Sequence, residues 1–362
     1  MKRLICLVLC AALLSALPCA YAEEDERPHL DSEELTQLVD SVLDELKANK
    51  DQVSVGLYAT ATDEVWYYNE DLWLYSASLY KVPLIMLLEQ KIAAGEIAQD
   101  GKIGSLDVDY IKGRILQYSN NELAQMLRKT VWHSDVAFRQ EAMSLVEMTE
   151  EDFSDKYLPS SRFNVRFMTE VMKNLYFHQD EYPDMLGYLL LASPGAFFKV
   201  KLEDRYEIAQ KYGAYDGVRH TSGVIYTPNP IILTVMTGKT GGGERIIAAM
   251  AEAFADYAEE LDRRIEEYDA RIQAEEEARL EAERLKAEEE AAEKARLEAE
   301  AAELARLERE AEEERLEAEA NAAAQEAAEE ARRKNTAVAV ASLGSMSAVL
   351  AAAVSRKKGK KR

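Results

Sequence analysis

The chain has 362 residues, with 67 acidic against 44 basic side chains and a formal net charge of −23, so no nucleic-acid partner is expected. Its three cysteines, Cys6, Cys10 and Cys19, all fall at the extreme N-terminus, and its four histidines (His29, His133, His178, His220) have no zinc-ligand spacing. Disulfides, a cysteine nucleophile and thiolate zinc sites are thereby excluded from the body of the protein, and neither a zinc hydrolase nor another metal site is expected.

Residues 1–22 read as a signal peptide: basic Lys2 and Arg3, an apolar run from Leu4 to Leu17, then Ala20-Tyr21-Ala22 as a small-x-small cleavage site. Cys19 follows Pro18, which does not fit a lipid anchor.

Residues 30–257 form the folded body. "QVSVGLYAT" from Gln52 alternates as a strand, and "EVWYYN" from Glu64 is its hairpin partner. "SLYKVPLIMLLEQKIAAG" from Ser78 is helical, and helical patterns dominate from Leu106 to Leu191. "EIAQKYG", "HTSGVIYT" and "PIILTVMTG" are three further strands, and "ERIIAAMAEAFADYAEEL" closes the body as a helix. The order predicts an α+β fold, a five-stranded antiparallel sheet flanked by helices.

Residues 258–334 are nearly all Ala, Glu, Arg, Leu and Lys without Gly or Pro, which predicts a helical rod reaching about 110 Å at 1.5 Å per residue. Leu261, Ile265, Tyr268 and Ile272 step by four, three and four, a heptad seam for a homodimer. After Leu280 the leucines keep no register, so the remainder reads as a solvated single helix, with a weak coiled coil as the alternative. Residues 335–355 carry no charge and predict one transmembrane helix; 356–362 form a basic tail expected on the cytoplasmic side. The expected topology is a body exported across the cytoplasmic membrane and anchored to it from outside.

Three short boxes carry chemistry. Ser78-Leu79-Tyr80-Lys81 puts a hydroxyl and an amine one helical turn apart, where a desolvated lysine can take the serine proton. The same spacing recurs at Ser355 and Lys358, and a serine at a helix start is also an ordinary N-cap. Ser119-Asn120-Asn121 supplies a second hydroxyl for proton shuttling and a carboxamide to hold a substrate amide. "VMTGKTGGGER" contains Lys239-Thr240-Gly241, but Leu233 stands where a phosphate-binding loop needs glycine.

These boxes resemble those of class A β-lactamases and penicillin-binding proteins, which carry S-x-x-K, then S-D-N or S-x-N, then K-T-G on a strand. The resemblance spans about Gln52 to Tyr257. It implies that the third box precedes two further strands and a helix, which Lys239-Thr240-Gly241 does not; Lys211-Tyr212-Gly213 does. It further implies acylation of Ser78 with Lys81 as base, Ser119 as proton relay, Asn121 on the substrate amide and Lys211 on a substrate carboxylate. Gly213 completes the box, and the backbone N–H of Ala214 joins that of Ser78 in an oxyanion hole.

Two departures stand out. Tyr212 replaces the usual short hydroxyl, for which Ser222 or Thr221 on the next strand is a substitute. No Glu-x-x-x-Asn lies between the second and third boxes; Glu147, Glu150, Glu151, Asp152 and Asp155 are present, without that context. The expected function is a serine hydrolase, acylated by β-lactams or D-Ala-D-Ala-type peptidoglycan peptides and slow to deacylate, needing no cofactor. Its expected surroundings are the bacterial membrane and wall. The alternative is a non-catalytic wall-binding or spacer module on the same fold.

Overall fold

The computed structural model describes residues 26–153, 155 and 157–357; the expected signal peptide and the tail from 358 lie outside the described residues. In chain order the main elements of the body are α1 (Ser32–Glu45), β1 (Val53–Ala59), β2 (Glu64–Tyr68), α2 (Lys81–Ala93), α3 (Val108–Leu116), α4 (Asn121–Leu127) and α5 (Asp135–Ala142). There follow α6 (Val165–Phe177), α7 (Met185–Leu190), β3 (Ile208–Tyr215), β4 (Val218–Ile225), β5 (Ile231–Thr237) and α8 (Gly243–Lys357).

The five strands form one antiparallel sheet, as the element pattern in the sequence predicts, and its order is β2-β1-β5-β4-β3. β1 and β5 are buried at every position because helices cover both faces. Period-two alternation sends Val53, Val55, Leu57, Leu233 and Val235 to one core, where they meet Leu35, Val39 and Leu43 of α1 and Ile246, Met250 and Phe254 of α8. Tyr58, Ile232 and Met236 point the other way, into a core built by α2, α3 and α6. Asp31 starts α1 by accepting hydrogen bonds from the N–H groups of Glu33 and Glu34 at 2.8 and 2.9 Å.

The heptad seam has a different use from the one expected. Leu261 and Ile265 are buried in the core of the body, with Tyr257 and Ala258. A four-three spacing specifies an apolar helix face and not what covers it; here the chain's own core does, and half the proposed dimer seam is occupied. The first compact unit accordingly runs to Ile272.

In the second unit, from Gln273 onward, Leu280, Leu285, Leu297, Leu304, Leu307 and Leu316 are exposed, and charged pairs such as Arg284–Glu288 and Lys334–Glu330 lie one turn apart. Residues 335–355 are helical, yet no helix among the described residues is long and apolar enough to cross a membrane. The expected spanning helix is therefore not found. Its composition is the reason: alanine and serine remove charge without supplying much hydropathy.

Candidate active site

Ser78 lies in the turn that leads into α2, half-buried, with its backbone carbonyl accepting from Lys81 N–H at 3.3 Å. The helix begins without a side-chain cap, so the serine hydroxyl is not consumed as an N-cap. Instead its Oγ lies 3.0 Å from the Nζ of Lys81. Ala77, just before it, has φ 45°, a left-handed conformation that an alanine adopts only under strain.

Lys81 is fully buried and surrounded by acceptors. Its Nζ reaches Asn121 Oδ1 and the Ser119 carbonyl at 2.6 Å each, and Ser119 Oγ at 3.1 Å. An ammonium has three hydrogens for these four oxygens; a neutral amine has two, plus a lone pair. Giving the two hydrogens to the two short contacts leaves the lone pair to accept the Ser78 proton. Burial, and then the Arg128 guanidinium, lower the Lys81 amine to about 8, which makes the neutral form accessible.

The second box sits between α3 and α4. Asn120 caps α4 by accepting from Leu123 N–H at 2.8 Å, and this fixes its neighbours. Ser119, at φ 55°, turns its hydroxyl toward both lysines. The third box lies on β3, the edge strand. Lys211 is fully buried and donates to Ser119 Oγ at 3.1 Å and to the Tyr212 carbonyl at 2.9 Å. It has no carboxylate partner among the described residues, and burial, with Lys81 nearby, pushes its amine well down.

A Cβ on Gly213 would stand 2.9 Å from Ser78 N, 3.0 Å from Ala77 Cβ and 3.2 Å from Ser76 O. Only glycine lets β3 approach the nucleophile this closely. Ala214 then lines the same cleft as Ser78. The structure thus gathers Ser78, Lys81, Ser119, Asn121, Lys211, Gly213 and Ala214 at one place. Ser222 stands apart: it is buried, and its Oγ lies 2.7 Å from Thr234 Oγ1, which accepts from Thr169. That hydroxyl chain ties β4 and β5 to α6, so Ser222 does not replace the hydroxyl missing at 212. Thr221 is buried, with no partner for its Oγ1 among the described residues. Tyr212 stacks on Phe197 with ring centroids 4.8 Å apart, and is not part of the cleft lining.

The cleft holds about 490 Å³. Its three charged lining residues, Arg128, Asp135 and Arg139, were not read from the sequence. Arg128 follows α4, stacks over the Tyr80 ring at 4.7 Å and pairs with Asp135 at 2.8 Å. Arg139 lies on the buried side of α5 beside Phe138 and Ala142. An arginine interrupting an apolar helical stripe is the sequence signal that marks it. Asp135 is the sole carboxylate in this lining. Asp152 is engaged elsewhere, accepting from Thr149 and pairing with Arg166 at 3.0 Å, while Glu150 and Asp155 line a separate cavity.

The sequence model of the Beta-lactamase enzyme family matches residues 34–137 and 121–258. No curated protein sequence matches the chain. Among solved structures the fold is similar to a β-lactamase from Desulfarculus baarsii DSM 2075, at 14% identity over 63% of this chain and 98% of that one, TM-score 0.53. An ancestral class A β-lactamase aligns at 16% identity over 62% of this chain and 99% of that one, TM-score 0.52. A β-lactamase from Sphaerobacter thermophilus DSM 20745 aligns at 18% over 63% and 98%, TM-score 0.53. At such identities the likeness concerns the fold.

Proposed function

This chain belongs to the Beta-lactamase enzyme family, and on that premise we propose that it is a serine acyl-transfer enzyme, taking β-lactams or D-Ala-D-Ala-type peptides as acyl donors on Ser78. The observation that carries the reading is the contact of Lys81 Nζ with Ser78 Oγ at 3.0 Å, at a lysine whose burial and Arg128 neighbour make the free amine accessible.

Lys81 accepts the hydroxyl proton as Ser78 Oγ bonds to the substrate carbonyl carbon. The negative charge on the carbonyl oxygen meets the N–H groups of Ser78 and Ala214. As the C–N bond breaks, the leaving amine takes the proton back from Lys81 through the Ser119 hydroxyl. Water then cleaves the ester. Among the described residues the one carboxylate lining the cleft is Asp135, already paired with Arg128, which supports slow deacylation and an enzyme that accumulates as its acyl form. The basic start, apolar run and small-x-small site of residues 1–22 support export.

Labelling wild type and Ser78→Ala with a fluorescent penicillin, followed by intact mass, tests the reading. An adduct on wild type alone supports it. Equal signal from both would leave the non-catalytic wall-binding module.

A further inference from the structure

Arg128, Asp135 and Arg139 are the charged residues among those lining the Ser78 cleft: two cations and one anion. The Arg128–Asp135 pair at 2.8 Å satisfies one cation. Arg139 is left over. It is 5% exposed, its Nε is buried without a hydrogen-bond partner, and it has no ion pair among the described residues. Asp135 lies one helical turn before it and is engaged by Arg128. The Arg128 Nε is also buried and unpartnered. Buried donors are normally satisfied, and a guanidinium held in a cleft with free donors is a site awaiting an acceptor.

We propose that Arg139, with Arg128 beside it, is a subsite for a single carboxylate borne by the acyl portion of the substrate, so that the preferred acyl donor is acidic. This rests on the acyl-transfer reading of Ser78. The charge count selects a monoanion, because one guanidinium remains after Asp135 is assigned. The fork of an arginine suits a carboxylate bound through two oxygens. Burial disfavours the charged form of Arg139, and Asp135 offsets part of that effect. An incoming carboxylate would offset the rest. The Lys211 subsite takes a different carboxylate, so this assignment makes the substrate doubly acidic.

The experiment compares two acyl donors on the full chain, benzylpenicillin and its α-carboxy analogue, by intact-mass time courses. The expected result is a rate ratio of about ten favouring the α-carboxy compound, equivalent to about 1.4 kcal/mol. Arg139→Gln brings the ratio to about one, and Arg139→Lys leaves it between, since the charge persists without the fork. A ratio uses one protein preparation for both compounds, so partial misfolding of a variant cancels. A ratio of one in wild type, or the same ratio in wild type and Arg139→Gln, overturns the proposal. If neither compound acylates Ser78, the acyl-transfer reading has failed, and calorimetry of the same two compounds reads the subsite on its own. A wild-type preference lost in Arg139→Gln then supports it, and equal affinities overturn it. Inorganic phosphate competing more strongly than acetate at equal ionic strength overturns the monoanion assignment.

Discussion

Gly213 and Ser78 are in backbone contact: any side chain on the glycine would stand 2.9 Å from the serine nitrogen. The atoms it would meet first are backbone and a Cβ, which cannot rotate aside. Gly213→Ala should therefore push β3 away from the nucleophile and separate the two oxyanion donors. A loss of about 10²-fold in acylation rate is expected, the effect of removing one such donor. Penicillin acylation measured by intact mass, beside a thermal melt to show that the fold persists, checks it.

Acylation should rise with pH through about 8, since the free amine of Lys81 is the base and burial sets its midpoint there. Below the midpoint the rate should fall about tenfold per unit. Arg128→Gln should move the midpoint upward, because a nearby cation is removed. Lys81→Met should cost 10²- to 10⁴-fold at the plateau, the usual range for a general base. The same shift bears on stability. A lysine whose folded value lies below its unfolded 10.5 binds its proton more tightly when unfolded, so its contribution improves as pH rises from about 8 toward 10.5. Denaturation midpoints of wild type and Lys81→Met across that window should converge.

Lys211→Met should stabilise the protein while suppressing acylation. The amine is fully buried without a carboxylate partner, and a methionine fills similar volume without that penalty. Two hydrogen bonds, to Ser119 and the Tyr212 carbonyl, are lost in exchange. A net gain of about 1 kcal/mol would raise Tm by about 2–4 °C. Calorimetry on the two proteins reads this directly, and a lower Tm would contradict it.

Ser222→Ala should do the reverse. It removes one of the two hydrogen-bond partners of Thr234 Oγ1 inside the core, at a cost of about 1–3 kcal/mol. Acylation, compared at a temperature where both proteins are folded, should stay within about twofold of wild type. A selective loss of acylation would return Ser222 to the site.

How far the sequence reveals this site depends on how local each element is. Ser78 and Lys81 share one helical turn, and Ser119 and Asn121 share one loop, so spacing alone brings each pair together. Choosing Lys211 over Lys239 required counting the strands that follow, and β4 and β5 are short strand-like runs bounded by turns, which is enough to count them. Arg139 and Asp135 are different. They reach the cleft because α5 packs at a particular rotation, and a short helix with one apolar stripe does not announce what its flanking charges will face. Leu261 and Ile265 illustrate the same limit, since a heptad spacing describes a face and leaves its cover open. Ser222 was legible as a hydroxyl on the strand that follows the third box, and the structure sets it opposite Lys211. What spacing could not give is that Thr234 and Thr169 claim it first.

The hydroxyl of Ser119 stands 3.1 Å from the amines of both Lys81 and Lys211. One oxygen thereby bridges two amines, and the charge on Lys81 is felt at Lys211. Swapping the Lys81 amine for an apolar group removes that repulsion and eases protonation of Lys211, so a variant intended to silence one lysine also retunes the one that remains.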